Sequence, residues 1–362
     1  MIIFSVESSC DETSCAVLSA EERPGATEYK ILSNVVASQI ETHRLFGGVV
    51  PEIASRAHAD VISQVADEAV KTAGIVPGDI DAVAVTNCPG LIGCLLVGTS
   101  FAKGLASSLG VPLIPVDHIE AHAAAAYLEN PGLTPSYGAL VVSGGHTSLY
   151  DVTDFTVMEV AGETRDDAAG EAFDKVGRII GLTYPAGREM DELATRAADA
   201  GVTGEEFPLP SPAIADGSFD FSFSGLKTAA LNHISNLRQR MRLGKDDPLP
   251  EEVVLGMAAS FTRAVCQGIC KKLAAFLDER KYDTLVMAGG VAANSHLRRA
   301  AAEICEKRGV RFITPSIPLC GDNGAMVAAA GYHRFRAGIT ADSRMNAYAS
   351  DEAARLALAR GN

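Results

Sequence analysis

Short apolar blocks alternate along this chain with glycine-bearing polar turns and longer stretches of helical periodicity. Residues 2–6 and 15–18 are apolar and β-prone. The polar segment Glu7-Ser8-Ser9-Cys10-Asp11-Glu12-Thr13 between them predicts a hairpin with a carboxylate-bearing tip. Gly47-Gly48 and Pro51 introduce a helical pattern that runs to about residue 72, with Pro51 suited to the first turn. A buried-type strand at 82–86, a helix at 95–109 and a strand at 111–116 form a parallel α/β unit. The order then recurs. Strands at 139–143 and 148–152 flank the turn Gly144-Gly145-His146-Thr147, and helices follow at 168–180, 188–200, 226–240 and 251–279. A strand at 284–288, the Gly289-Gly290 loop, a helix at 292–307 and an Ala-rich helix at 325–336 complete the pattern, which weakens after residue 337. A hairpin with a polar tip followed by strand, glycine loop and helix thus occurs twice. Two such halves facing one another would bring both tips to one cleft.

Length agrees with this duplication, since 362 residues exceed one ordinary core. A hydrophobic share of 47% with 34 glycines suits an α/β protein rich in backbone turns. The start Met1-Ile2-Ile3-Phe4 lacks the basic region of a signal peptide, and the apolar stretches at 91–102 and 104–116 are interrupted by Lys103 and fall short of a membrane span. The eight cysteines include no Cys-x-x-Cys pair, so Cys10, Cys15, Cys266 and Cys270 read as small buried residues in a reducing compartment. The expected location is the cytoplasm, without membrane attachment. A net charge of −14 argues against unaided, non-specific nucleic-acid binding. Local basic groups at 238–245 and at Arg298 and Arg299 are candidate contacts, or simply solvated helix faces.

Candidate chemistry centres on Asp117-His118-Ile119-Glu120-Ala121-His122. His118 and His122 are four residues apart, so on a helix both imidazoles share one face and could hold a divalent metal. The alternative is a polar helix start whose histidines only hydrogen-bond. A zinc-protease helix is disfavoured because Glu120 is rotated by about 200° from His118, off the metal-binding face. Walker, dinucleotide-binding and Gly-x-Ser-x-Gly motifs are absent. The first hairpin tip could present N–H groups to phosphate or be an ordinary turn. Asp174 could bind ribose hydroxyls or pair with Lys175 or Arg178, and Asp322 or Asn323 could cap the last helix. From the residues alone the chain reads as a nucleotide-handling α/β enzyme with an optional metal.

The segments 7–13, 47–56, 118–122, 142–147, 166–175, 222–228, 287–294 and 322–326 together resemble the successive signatures of the tRNA N6-adenosine threonylcarbamoyltransferase family, once described as O-sialoglycoprotein endopeptidases. The resemblance covers residues 2–336. It implies an α/β fold of duplicated ribonuclease-H-like halves, of the actin/sugar-kinase/Hsp70 type, around a central nucleotide cleft. The halves would span residues 1–117, completed by a helix near 322–337, and 118–321, with 338–362 as a peripheral tail. The implied reaction moves a threonylcarbamoyl group from threonylcarbamoyl-AMP to N6 of the adenosine just 3′ of the anticodon of tRNA. The resemblance also implies one divalent metal, iron(II) ahead of zinc, on His118, His122 and Asp322, pinning the two halves together. Substrate contacts would fall on Val141, Val142, Ser143, Gly144, Gly145, Asp174, Gly187, Asp191 and Asn294, with Asp11 or Glu12 handling the N6 proton. Implied partners are tRNA, the adenylate, an inactive paralogue of similar fold and a small ATPase. The family mostly has Gly where Cys88 stands and Gly-Gly-Pro where Ala186-Gly187-Arg188 stand, which questions fine affinity at those loops. A metal-dependent glycoprotein endopeptidase and a non-catalytic nucleotide-binding scaffold are the competing readings.

Overall fold

A computed structural model describes residues 1–350 as two compact units. The first comprises Met1–Pro135, Thr153–Met158 and the described chain from Pro315 onward; the second comprises Ser136–Val152 and Glu159–Thr314. Each is built on one five-stranded sheet. In the first unit β1 (Ile2–Glu7), β2 (Glu12–Arg23), β3 (Ala26–Ser38), β4 (Ala82–Cys88) and β5 (Leu113–Asp117) lie in the order β3-β2-β1-β4-β5. β1 pairs antiparallel with β2 and parallel with β4, and β4 pairs parallel with β5. In the second unit β6 (Tyr137–Val142), β7 (Thr147–Asp154), β8 (Val157–Glu163), β9 (Thr284–Ala288) and β10 (Arg311–Ile313) lie in the order β10-β9-β6-β7-β8. Read from the opposite edge, that is the same topology, with β6 antiparallel to β7 and parallel to β9.

Helices of the first unit are α1 (Ile40–Arg44), α2 (Pro51–Ala73), α3 (Ile92–Leu109) and α4 (His118–Glu129). The second unit contributes α5 (Ala169–Ile179), α6 (Gly187–Asp199), α7 (Ser224–Met241), α8 (Glu251–Arg280) and α9 (Ser295–Glu306). The chain then returns to the first unit with α10 (Ile317–Cys320) and α11 (Gly324–Arg336). Pro51 occupies the first turn of α2, and Gly74 closes that helix at φ 68°, a left-handed cap that favours glycine. α3 and α8 are each long and apolar enough to cross a membrane. Here α3 lies against β4 and α2, and α8 against α6 and α9. One face of the first sheet is covered by α2 and α3, with Phe4, Val6, Val17, Val83 and Val85 in the core. α11 packs against β1, β2 and α4.

Several expectations change. β3 was not anticipated, because its alternating Thr, Glu, Lys and Asn side chains mark a partly exposed edge strand instead of an apolar block. It is tied to β2 by Pro24-Gly25, with Arg23 opposite Ala26 and Gly25 at φ 81°, as a type II turn requires. β8 and β10 were missed for the same reason, being exposed or very short. The boundary expected after residue 117 falls instead after Pro135, because α4 packs on α11 within the first unit. The segment after residue 337, expected to be peripheral, is instead tied to the first unit: Ala341 N–H bonds Leu113 O at 2.8 Å, Tyr348 N–H bonds Asn87 O at 2.8 Å, and Met345 packs on the core. Residues 351–362 of that expected tail lie outside the described residues. Cys15, Cys266 and Cys270 are buried as expected, whereas Cys10 is only partly so.

Glycines in α11 permit the close packing of that helix on the sheet. A Cβ on Gly324 would stand 2.7 Å from the Ala16 amide nitrogen, and one on Gly331 would stand 2.6 Å from Ala84 Cβ. Gly324→Ala should therefore cost about 1–3 kcal/mol through overpacking, seen as a lowered melting temperature. Gly104→Ala, on an exposed face of α3 with open space around it, should instead stabilise by about 0.5–1 kcal/mol. Equal effects of the two substitutions would contradict this packing.

At the far end of α11, His333 stacks on Phe155 at 4.0 Å between ring centroids, and its Nε2 meets the Tyr29 hydroxyl at 2.7 Å. Burial pushes its pKa down to about 4, only partly opposed by Asp154. A depressed histidine pKa means the neutral ring is the stabilising form. The contribution is complete above the unfolded value near 6.5 and is lost as pH falls toward 4, amounting to about 3 kcal/mol at the limit. Melting temperatures measured between pH 7 and pH 4 should fall less steeply for His333→Phe than for the natural protein.

Candidate metal centre and substrate loops

β5 delivers the chain directly into α4, and Asp117 caps that helix by accepting from Ile119 N–H at 2.8 Å and Glu120 N–H at 3.0 Å. The cap sets His118 and His122 on successive turns of one face, with ring centroids 4.6 Å apart. Before α11, the cap falls to Asn323, whose Oδ1 accepts from Met326 N–H at 3.1 Å. That leaves Asp322 to face the imidazoles: its Oδ1 lies 3.6 Å from His118 Nε2 and 3.3 Å from His122 Nε2. The three side chains offer donor atoms within 4.8 Å of one another. All three lie in the first unit, so a shared ion would join the start of α4 to the loop before α11 within one body, not two halves to each other as expected.

His122 provides a direct test of whether a metal fits. It is fully buried, and neither ring nitrogen makes a hydrogen bond with any described residue. A buried imidazole with no hydrogen bond at either nitrogen, only a carboxylate 3.3 Å from Nε2, is costly unless a ligand satisfies it. Two imidazole nitrogens and a carboxylate oxygen form a donor set suited to a divalent transition metal. Burial opposes a charge on His118, but the carboxylates of Asp322 and Glu7 outweigh it and raise its pKa to about 10.

Sequence reasoning passed over Glu7 as an individual residue, although it stands in the first motif. It is wholly buried at the end of β1. Its Oε2 lies 3.1 Å from His118 Nδ1 and accepts from the Thr86 hydroxyl at 2.6 Å, while Oε1 accepts from Ser9 N–H at 2.6 Å. Burial alone would raise its pKa, and the His118 charge and these hydrogen bonds lower it instead. An acidic residue ending an apolar strand was the available signal.

The first hairpin tip is fixed from several sides. Ser8 Oγ donates to Cys94 O at 3.0 Å, Leu91 N–H donates to Ser9 O at 2.8 Å, and His58 Nε2 bonds Cys10 O at 2.9 Å. A Cβ on Gly90 would come within 2.6 Å of Ser9 O, and one on Gly98 would collide with Ser8 Oγ. Asp11 is buried in this tip, and Glu12 begins β2 with its Oε1 accepting from Ser38 Oγ at 3.1 Å. Burial first, then the charges of Asp11 and Asp322, push Glu12 up to about 9. Glu120 points elsewhere, into an ion pair with Arg334 at 2.6 Å. Cys88 also belongs to this neighbourhood, its thiol donating to Asp117 Oδ2 at 3.6 Å.

The other singled-out residues gather at one end of the second sheet. Val141 and Val142 end β6, and the following turn is closed by Ser143 N–H on His146 O at 2.8 Å. Gly144 and Gly145 are exposed, with open space where a Cβ would stand. Gly170 at the start of α5 packs so tightly on this turn that a Cβ would meet Ser143 O at 2.6 Å. Asp174 Oδ1 accepts from Ala186 N–H at 2.7 Å, which joins α5 to the loop before Gly187 at the head of α6. Asp191 Oδ1 accepts from both Ser295 N–H and Ser295 Oγ at 3.0 Å, and Asn294 caps α9 through Leu297 N–H at 2.9 Å. Asp191 and Asn294 therefore have structural partners besides any ligand. The Ala186 departure is accommodated: its φ is −90°, and its Cβ fills space left by Gly177. Arg188 pairs with Glu192 at 2.9 Å on the surface. Arg238 is tied to Gly244 O and Asp247 O, and Arg298 to Ala292 O, whereas Arg240, Arg242, Lys245 and Arg299 are exposed.

Two sheets with one repeated strand order, flanked by helices, define a duplicated α/β protein of the actin/sugar-kinase/Hsp70 type, here with a His-His-Asp site in its first unit. A solved structure of full-length HypF in the phosphate- and nucleotide-bound form shares the fold, with TM-score 0.59 and 14% identity over 93% of this chain and 46% of that chain. The sequence pattern of the tRNA N6-adenosine threonylcarbamoyltransferase family matches residues 30–329. The family's proteins from Thermosipho africanus and Staphylococcus saprophyticus are each 46% identical over 96% of this chain, covering 98% and 95% of their own lengths. This chain belongs to the tRNA N6-adenosine threonylcarbamoyltransferase family and is a transferase.

His122→Ala should abolish metal-dependent stabilisation. At a free metal concentration of 100 times Kd, the natural protein should gain about 2.7 kcal/mol, read as a thermal shift, and the variant should gain none. Without metal the variant should melt somewhat lower, because truncating a fully buried ring leaves a cavity, so the metal-dependent shift and not the melting temperature itself is the readout.

Proposed function

We propose that this chain transfers the threonylcarbamoyl group of threonylcarbamoyl-AMP to N6 of adenosine 37 in tRNAs that read codons beginning with adenine, and that it works in the cytoplasm. The supporting observation is 46% identity to enzymes of this family across 96% of the chain. The donor is a mixed anhydride, already activated. The harder partner is the N6 amine, whose lone pair is delocalised into the adenine ring. A new bond forms between N6 and the carbamoyl carbon, the bond from that carbon to the phosphate oxygen breaks, N6 loses a proton, and AMP departs. The protein must orient the amine, stabilise charge on the carbonyl and receive the proton.

His118, His122 and Asp322 would hold one metal, which supplies Lewis acidity when bound. Iron(II) is proposed ahead of zinc on the family resemblance, since two histidines and one carboxylate serve either metal. The N–H groups of Gly144 and Gly145, beyond the ends of Val141, Val142 and Ser143, would donate to oxygens of the adenylate. Asp174 and Asp191 would accept from ribose hydroxyls, with Gly187 and Asn294 lining the same contact. Asp11 or Glu12 would receive the N6 proton or position the amine, and Asp11, buried in the hairpin tip, is the first candidate for the proton. A net charge of −14 fits an enzyme that grips tRNA locally or through helpers, here an inactive paralogue of similar fold and a small ATPase. The protease reading lacks its general base, because Glu120 is engaged by Arg334.

The test is a reconstituted transfer: the full chain with its partner proteins, threonylcarbamoyl-AMP and an unmodified tRNA, with nucleosides separated after digestion. Threonylcarbamoyladenosine is expected with the natural protein, and roughly a 100-fold loss of rate with Asp11→Asn, the scale of general-base catalysis. No product from the complete mixture would reject the function, and an undiminished Asp11→Asn rate would reject only the proton assignment.

A further inference from the structure

We infer that Glu7 is a positioning residue for the metal centre, whose buried carboxylate fixes the orientation and tautomer of His118 and ties that imidazole to the first hairpin tip. Three donors converge on this one side chain. Ser9 N–H reaches Oε1 at 2.6 Å, while the Thr86 hydroxyl at 2.6 Å and His118 Nδ1 at 3.1 Å share Oε2. None of the carboxylate is exposed to solvent, so each of these bonds acts where water cannot substitute for it.

Only one ring nitrogen of His118 can carry a metal, and the geometry selects which. Nε2 faces Asp322 and Nδ1 faces Glu7. A carboxylate has no proton to offer when ionised, so Nδ1 must carry one to donate, and Nε2 is the nitrogen that gives up its proton and supplies the electron pair when a metal binds. The Ser9 hydroxyl also lies 3.2 Å from Nδ1, but a charged acceptor makes the stronger bond. Metal-bound histidines commonly hold such an outer carboxylate, and losing it weakens metal binding by about 10–100-fold.

Glu7 also has a second task that a simple outer partner lacks. It is the last residue of β1, and its bond to Ser9 N–H sets the first turn of the tip that carries Asp11 and Glu12. Thr86, on neighbouring β4, holds the carboxylate from the other side. Glutamine cannot reproduce this arrangement, because its single carbonyl oxygen cannot satisfy Ser9 on one side and Thr86 with His118 on the other. An amide nitrogen turned toward His118 would demand the opposite tautomer, with the proton on Nε2.

The inference rests on the metal reading of His118, His122 and Asp322, and the experiment separates the two. Zinc is titrated into the full-length metal-free chain against a competing chelator, for the natural protein, Glu7→Gln and Thr86→Val, with melting temperature recorded beside each affinity. Glu7→Gln should weaken zinc by about 10–100-fold, and Thr86→Val, which keeps the carboxylate, should weaken it less. Long-range proton–nitrogen spectra of the zinc-loaded natural protein should show His118 ligating through Nε2 with the proton on Nδ1, a readout that holds even if Glu7→Gln fails to fold. Unchanged affinity in a folded Glu7→Gln protein, or ligation through Nδ1, would overturn the positioning role alone. No zinc binding by the natural protein would remove the metal reading and this inference with it.

Discussion

Close burial of α11 is the constraint on which the first unit depends. From Gly324 to His333 every residue of the helix is buried, so it has no solvent face to rotate toward. Gly324 and Gly331 bring its backbone against β2 and β4 at distances that a Cβ would forbid. α4 packs along it, and the Glu120–Arg334 pair bridges the two helices. With both helices fixed, the loop before α11 has little choice of position. Asp322 arrives opposite His118 and His122 although two hundred residues or more separate them along the chain. A packing interaction of small residues therefore assembles the His-His-Asp cluster.

A second layer of constraint runs through polar groups. Asp117 and Asn323 satisfy the N-termini of α4 and α11, which frees the adjacent His118 and Asp322 to face each other. Glu7 gathers the hairpin tip, β4 and His118 on one carboxylate. By contrast, His122 is fully buried with no hydrogen bond at either ring nitrogen, although Asp322 Oδ1 lies 3.3 Å from Nε2. This asymmetry, one imidazole supported and the other unsatisfied, suits a site whose stability is completed by an ion.

The second unit uses the same topology for a different surface. Its hairpin tip carries Gly144 and Gly145 in place of carboxylates, and α5 is held hard against it by Gly170. Asp174, Asp191 and Asn294 each anchor the start of a helix or its approach. The Ala186 and Cys88 departures are absorbed locally, one by the gap at Gly177 and the other by a bond to Asp117.

Much of this was legible in the chain itself. Apolar blocks marked β1, β4, β6 and β9, whose residues are buried on both faces, and α2, α3, α5 to α9 and α11 followed from periodicity and glycine or proline punctuation, whereas the full span of α4 and the short α10 did not. Duplication could be read from the repeated order of hairpin and glycine loop, and the four-residue spacing of His118 and His122 put both rings on one face. Edge strands were not legible, because β3 and β8 alternate toward solvent and carry too little apolar signal. Nor could local sequence decide that α4 belongs with the first unit, that Asn323 takes the cap while Asp322 faces the histidines, or that Glu7 supports His118. Those outcomes depend on which surfaces pack together across the whole chain, and periodicity records only how each segment would like to be buried, not against what.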